Sequence, residues 1–498
     1  MKNITGSSIL QFISKASWIL FFLCLPVISF PYFPPAIGGG AVVRPLLIYP
    51  LIILLVVATI PQLVSKSLPR TILVLVPFMI AALISSILSF RLDIPPMQGI
   101  TASERILRAF ITLGLGAAIY LTVALVPRSL EDLRVSLRWM YAGFSLALLW
   151  GSLQAIYVVR FSESYFQLLS RIQRYISIRK LFPTRISGPT YEPNWFAEQL
   201  SFLLLPWLLS AVLTGYSVFK WRWRWITVEM ILLVWTVLVL PLTFSRAGLI
   251  VLIAVGFVGL MFFRTKRPEN SPRINAHSKM IMKRVLEAGI AIIIVISLTY
   301  FLGRNNEFFS RIWLFWSERT NPTLSEYFDY LGFGARFIYN ETALRIYNAF
   351  PIFGVGLGNY AFFFEELLPD QPLAIMPEVL RLVTPGAGDT RLITSKNLYF
   401  RLLAETGLIG TALFLAFVIA ILGCAIFLWL SKNKERNYFG VAGLLGLFAF
   451  GLSAFSYDSF ALPNMWVLFG LITAAMWMKK TPKIPTGKIK EQITNAVE

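Results

Sequence analysis

Long apolar runs recur along the chain, at about 15–31, 45–64, 71–90, 106–126, 137–158, 195–215, 225–243, 247–263, 285–303, 402–430, 438–456 and 463–478. A helix needs roughly 20 apolar residues to cross the hydrocarbon of a bilayer. The runs are continuous, whereas the strands of a membrane barrel would alternate apolar and polar positions, so helices are predicted. The pattern therefore predicts an all-α polytopic membrane protein with about twelve transmembrane helices.

Two polar stretches interrupt the runs, a shorter one over 159–194 and a long one over 304–401. Within the second, ARFIYNETALRIYNAF (335–350) predicts one amphipathic helix stopped by Pro351. Glu341, Arg345 and Asn348 recur at i, i+4 and i+7 and share a face, while Phe337, Leu344 and Tyr347 can lie on the membrane. The FGVGLGNY that follows has glycines that permit a tight turn close to a ligand. It is not placed between a strand and a helix, so it reads as a turn rather than a nucleotide loop.

Composition agrees with a lipid-embedded frame: 57% hydrophobic and 14% charged residues, and a mean hydropathy of +0.69, against about 25% charged in soluble domains. The net charge of +20 would suggest nucleic acid in a soluble chain, but here the charges sit in short loops between apolar runs. Membrane lipids are the expected partner and nucleic acid is not. Cys24 and Cys424 both fall inside apolar runs, which removes a disulfide framework or a cysteine metal site. His277, the sole histidine, falls in a basic loop, which argues against a histidine zinc site or a Ser/His/Asp triad. No cofactor and no metal are expected. The N-terminus lacks the pattern of a cleaved signal, so the first run is predicted to stay as an anchor.

Twelve spans put both termini on one side. With the termini cytoplasmic, 14 of the 16 lysines fall inside, leaving only Lys180 and Lys396 outside, and the positive-inside rule fixes that orientation. The 304–401 stretch then becomes a long outer, periplasmic loop containing amphipathic helices. KWRWRW (220–225) reads as an aromatic belt on anionic headgroups, and the tail after Lys480 as a disordered cytoplasmic end. Three regions are expected: 1–184 with the first helices and first outer loop, 185–430 as a functional core including 304–401, and 431–498 with the last two helices and the basic tail.

The outer cations are almost all arginine: Arg160, Arg171, Arg174, Arg179, Arg185, then Arg304, Arg311, Arg319, Arg336, Arg345, Arg381, Arg391 and Arg401. Arginine presents a planar fork suited to phosphate and carboxylate oxygens, although salt bridges to nearby glutamates account for most of them individually. PLTFSRAG (241–248) joins two spans with almost no loop and puts Arg246 at the outer membrane edge. A charge there is costly, about 2.5 to 3.5 kcal/mol at the bilayer centre and less near the interface, so it marks a site or a partner. SKNLYFRLLAETGLIG brings Lys396 and Asn397 to the mouth of the next span, with Lys396 a second cation for the anion that Arg345 meets. RISGPTYEPNWFAEQL (185–200) places Arg185 and Glu192 at the entry to another, with Glu192 a candidate general base. The candidate catalytic residues are thus Arg246, Arg345, Lys396 and Glu192, and the candidate substrate-binding residues are Arg185, Arg336, Asn397, Glu341 and Asn348.

SGPTYEPNWFAEQL, TFSRAGL, ALRIYNAFPIFGVGLGNY and KNLYFRLLAETGLIG, in that order, resemble the bacterial O-antigen ligase and polymerase superfamily of membrane glycosyltransferases. The resemblance covers mainly 185–425. It implies metal-independent, inverting transfer of an undecaprenyl-diphosphate-linked glycan to a glycan or lipid acceptor at the outer face of the bacterial inner membrane, with a chain-length regulator as a further partner. The arginines matching Arg246 and Arg345 would hold the diphosphate while an acceptor hydroxyl displaces it. No DxD motif occurs in the outer segments, in keeping with a lipid donor. Ligases of the family commonly carry a histidine where this chain has Lys396, which shifts the expectation toward a polymerase of O-antigen or exopolysaccharide units. The rival is a transporter of an anion or a lipid-linked glycan. Transporters tend to repeat broken helices in two halves, and 304–401 has no counterpart in the first half.

Overall fold

A computed structural model describes residues 6–34, 41–65, 68–263, 275–320, 322–370, 377–384 and 392–478. The tail after Lys480, Arg391 and most of the basic loop after 263 lie outside the described residues, as does the side chain of Arg381. The first half contains α1 (Gly6–Leu23), α2 (Ile48–Leu54, prolonged through a π turn to Ser65), α3 (Arg70–Ser89), α4 (Ala102–Leu125), α5 (Leu130–Val159) and α6 (Glu163–Ile176). Next come α7 (Pro193–Thr214), α8 (Val228–Val239), α9 (Arg246–Phe263) and α10 (Asn275–Gly303). The polar stretch contributes α11 (Glu307–Glu318), α12 (Leu324–Tyr330), α13 (Phe333–Ala349) and α14 (Pro377–Val383), and the chain closes with α15 (Leu398–Trp429), α16 (Lys434–Ser453) and α17 (Pro463–Trp477).

Each apolar run of the sequence contains a helix here, although the first is helical only to Leu23. Among the described residues seven helices are long and apolar enough to cross a membrane by length and composition, namely α3, α4, α5, α7, α9, α10 over Val285–Gly303, and α15. The remaining runs form shorter apolar helices, Ile9–Leu23, Ile48–Val64, Val228–Thr243 and Pro463–Trp477, together with α16. The chain is a multi-pass integral membrane protein. α7 is its centre, with 94% of its span window buried inside the protein, whereas α10 has 11% and lies at the edge. α3 packs on α15, α4 on α17, and α7 on α16. Side chains such as Val64, Ile293 and Ile419 leave apolar surface exposed, as lipid-facing positions do.

Two local readings gain detail and one changes. Within the stretch that includes KWRWRW, Arg222–Trp223 and Ile226–Thr227 pair as a two-stranded hairpin, turning at Arg224 with φ 53°. His277 lies in the first turns of α10, not in a loop. The amphipathic helix read over 335–350 is present as α13, and α11, α12 and α14 accompany it in the stretch expected to contain such helices. Asn306 caps α11 by accepting from Phe308 N and Phe309 N, and Thr323 forms a capping box with Glu326. α13 buries Ala335, Ile338, Tyr339, Ala343 and Ile346 in a second apolar core with Val355, Tyr360, Phe364 and Ala404.

The glycine-rich turn has a structural task. α15 breaks at Gly407 (φ 62°, ψ −165°), which strands backbone groups on both sides of the kink. The turn supplies their partners: Val355 N donates to Ala404 O at 3.0 Å and Gly356 N to Glu405 O at 3.0 Å, while Leu408 N donates to Pro351 O at 2.8 Å. Ser85 of α3 donates to Glu405 O at 2.7 Å, Leu357 N donates to Ser86 Oγ at 3.0 Å, and Arg105 Nε of α4 donates to Gly358 O at 3.1 Å. Gly354 and Gly356 have φ of 69° and 93°, and a Cβ on them would come 2.5 Å from Ala404 O and 2.7 Å from Ser89 Oγ. These glycines allow approach to another helix. The contacts described for the turn are to α3, α4 and α15, where the sequence suggested a turn close to a ligand.

Candidate functional site

Arg246 is the first residue of α9, and the chain is forced into place just before it. Leu240–Thr243 form a 3-10 turn, Phe244 adopts φ 47°, and Ser245 caps α9 by accepting from Gly248 N at 3.3 Å. A positive φ on a bulky residue is strained and frequent at functional sites. Among the described residues four non-glycines have it, and two of them are Phe244 and Lys396. The Arg246 guanidinium donates from Nη1 to Leu331 O at 3.0 Å and lies 5.3 Å from the centre of the Phe333 ring and 5.9 Å from that of Phe308.

Arg185 reaches the same Phe308 ring, at 4.1 Å. Its Nε donates to Thr243 O at 2.8 Å and its Nη2 to Asn194 Oδ1 at 2.8 Å. The strands of chain that carry these residues are tied together by Asn306, whose Nδ2 donates to Thr184 O at 2.6 Å, and by Ile186 N donating to Leu242 O at 3.2 Å. Burial pulls the Arg185 pKa down to about 10; Glu192 opposes this and the charge of Arg246 adds to it. Glu192 thus faces Arg185 electrostatically while preceding α7 at its N-terminus.

α13 divides its two arginines. Arg336 is half-buried, its Nη1 has no hydrogen-bond partner, and it lies within electrostatic reach of Arg246, as does Arg311. Arg336 also acts on Tyr339 and Glu378. Arg345 stands nine residues further on, two and a half turns at 3.6 residues per turn, and so points from the opposite side. It is 43% exposed and pairs at 3.0 Å with Glu341, and Asn348 is exposed beside it. The helix face predicted for Glu341, Arg345 and Asn348 therefore exists, but the structure does not bring it to Arg246. Arg336 is the α13 arginine that it does bring there.

Lys396 closes the group from another side. Its ammonium pairs with Glu378 and lies 4.9 Å from the centre of the Tyr339 ring, and Tyr339 OH donates to Glu378 Oε1 at 3.1 Å. Burial alone would raise the Glu378 carboxyl, but Lys396, the Tyr339 hydroxyl and Arg336 hold it below the usual carboxylate range. Burial and Glu378 push the Tyr339 phenol up. The Lys396 backbone is fixed by donation from its N–H to Asp458 Oδ2 at 2.9 Å. Asn397 is buried and caps α15, its Oδ1 accepting from Tyr399 N at 3.1 Å, which gives it a structural role within reach of the group rather than an open face.

Residues 230–415 match the family model described as O-antigen ligase. Over this stretch the chain is similar to the O-antigen ligase family, the family its sequence motifs resemble. No curated protein matches the chain. The matched O-antigen ligase stretch contains Arg246, Arg336, Arg345 and Lys396, while Arg185 and Glu192 precede it. The match supports a membrane function of the O-antigen ligase or polymerase type.

What the arrangement can do chemically follows from its charge. Arg185 and Arg246 have aromatic rings and backbone carbonyls as neighbours, Arg336 leaves its Nη1 unpartnered, and among the described residues none of the three forms an ion pair with a carboxylate. Converging cations repel, more so where water is scarce. An anion with several oxygens would relieve that. Sequence reasoning gave Arg336 little weight among thirteen outer arginines, and it missed Tyr339, Glu378 and the Phe308 and Phe333 rings. None of these carries a spacing signal, because they meet only through the tertiary fold.

Proposed function

We propose that the protein is a glycosyltransferase acting on undecaprenyl-diphosphate-linked glycans at the outer face of the bacterial inner membrane, polymerising or ligating O-antigen or exopolysaccharide units. In this reading all twelve apolar helices cross the membrane, both termini are cytoplasmic, and the segment 304–401 is periplasmic. The observation that carries it is the convergence of Arg246 and Arg336, in the first turns of α9 and α13, with Arg185, in the loop before α7, without a paired carboxylate, within and beside the O-antigen ligase stretch.

A diphosphate leaving group needs its developing charge neutralised, and guanidinium groups fixed in advance do this without reorganising at the moment of reaction. Arg246 and Arg336 hold the diphosphate, and Arg185 braces the Arg246 turn through Thr243 O while adding charge. The acceptor hydroxyl attacks the anomeric carbon from the far side of the leaving oxygen, so configuration inverts. Lys396 serves as a cation for the departing diphosphate and not as the base, since its ammonium is already committed to Glu378. With lysine at this position, polymerisation is the favoured activity, and no metal is needed for leaving-group stabilisation.

The test is reconstitution with a labelled undecaprenyl-diphosphate oligosaccharide and a glycan acceptor, with chelator present. A new glycosidic bond is expected. Movement of the labelled glycan across the bilayer with no new bond would replace this reading with transport.

A further inference from the structure

Glu198 is an acid inside a membrane-spanning helix, and the reading above gives it no task. It is 8% exposed, in the span most deeply enclosed by the protein. Among the described residues no cation is recorded against it, and its Oε1 has no hydrogen-bond partner. The side chains in reach of it are Asn464 and Tyr457, at 1% and 6% exposure, and Asn464 Oδ1 and Tyr457 OH are also unpartnered. Immediately after Glu198, α7 loosens into a π turn over Gln199–Leu204, where the Gln199 amide and Ser201 Oγ are buried and open as well. Ionisable residues within the bilayer are costly and pair or serve a function, π turns recur at functional sites, and orphaned buried polar atoms call for a ligand.

The position of Glu198 says which ligand. Its neighbour Ala197 touches α9 so closely that a Cβ on Gly248 would come 2.6 Å from the Ala197 Cβ, and Gly248 is two residues beyond Arg246. On the other side, Tyr457 is followed by Asp458, which accepts from Lys396 N at 2.9 Å and, through its carbonyl, from Arg401 Nη1 at 2.5 Å. Glu198 is therefore held between the helix that starts with Arg246 and the turn that anchors Lys396.

We infer that Glu198 receives the proton of the acceptor hydroxyl, with Tyr457 and Asn464 orienting the hydroxyl or a relaying water against it; the inference rests on the glycosyl-transfer reading. As the acceptor oxygen bonds to the anomeric carbon, its O–H bond breaks and the proton passes to the Glu198 carboxylate. The bond from the anomeric carbon to the diphosphate oxygen breaks, and its electron pair leaves on the diphosphate against Arg246 and Arg336. Lys396 is paired with Glu378, and Glu192 faces Arg185, so neither competes for this task.

The experiment compares reconstituted wild type, Glu198→Gln, Glu198→Asp and Tyr457→Phe, measuring labelled donor binding and transfer rate across pH. A base must be ionised to act, so wild-type transfer should fall along an acid limb. Glu198→Gln should bind donor as wild type does, lose about 10²-fold or more in turnover, and lose the acid limb from its residual rate. Glu198→Asp should recover part of the rate with a displaced limb, and Tyr457→Phe should slow transfer without removing the limb. Transfer by Glu198→Gln at the wild-type rate, or a loss of turnover matched by loss of donor binding, would overturn the inference alone. Absence of any new glycosidic bond with wild type would overturn the transfer reading and this inference with it.

Discussion

Arg401 and Arg246 both stand in the first turn of a membrane helix at the end of the bundle that carries 304–401, yet their surroundings differ in kind. Arg401 is buried, donates from Nε to Glu405 Oε2 at 2.9 Å and from Nη1 to Asp458 O, and sits in a region where the α15 kink, the glycine turn and Arg105 satisfy one another's backbone groups. Arg246 has one backbone carbonyl and two aromatic rings, with Arg336 and Arg311 adding like charge. Closed hydrogen bonding on one side holds geometry, and open, unneutralised charge on the other leaves capacity for an anion. An arginine near a membrane edge is thus read by its partners before it is read by its position.

The largest effect that separates the two is on stability. Arg401→Ala leaves Glu405, 2% exposed, without its cation, and removing one member of a buried pair costs about 3–5 kcal/mol. The expected outcome is a large fall in melting temperature and folded yield, with much of it restored when Glu405 is also made apolar. Wild-type melting in Arg401→Ala would dissolve the contrast. Next, Arg246→Ala and Arg336→Ala should each lower transfer by about 10²–10³-fold, the loss seen when one preorganised donor is removed, while melting stays at or slightly above wild type because repulsion is relieved. Near-wild-type transfer in either variant would remove that arginine from the proposed site.

Much of the fold was legible because bilayer thickness leaves a run-length signature that tertiary context seldom overrides. The four helices of 304–401 were less so: α11 and α12 are short and aromatic, and they are defined by caps such as Asn306 and Thr323 more than by periodicity. Arg246 could be found from sequence because its hairpin leaves no loop to absorb it. Arg336 could not be ranked above Arg345, since both lie on one helix and only the packing of Ile338 and Tyr339 decides which side faces inward. Glu198 did carry a signal, an acid inside an apolar run, and the neighbouring Glu192, Pro193 and Asn194 motif drew attention from it.

The two arginines of α13 give a smaller contrast. Arg345 and Glu341 are each more than 40% exposed, and such i, i+4 pairs contribute about 0.3–0.5 kcal/mol. Arg345→Ala should therefore change transfer by less than about tenfold, far below the electrostatic effect expected at Arg336. A loss as large as that of Arg336→Ala, with both assayed side by side, would return the diphosphate to the arginine that the sequence motif first suggested.

The smallest effect concerns Lys396 and Glu378. Glu378 is held below its ordinary value of 4.5 when folded. A carboxyl with a depressed folded pKa contributes stability that is full above the unfolded value and is lost as pH falls through the folded one. The Glu378 side chain is 52% exposed, so solvent screening keeps the contribution within the roughly 0.2–1 kcal/mol of exposed pairs. Wild type should therefore melt slightly above Glu378→Gln at neutral pH, and the gap should close as pH drops below about 4, where free glutamate carboxyls protonate. A gap that persists or widens in acid would mean that Glu378 acts as a neutral hydrogen-bonding group to Tyr339. Lys396 would then be free at neutral pH, and its exclusion as a base would no longer hold.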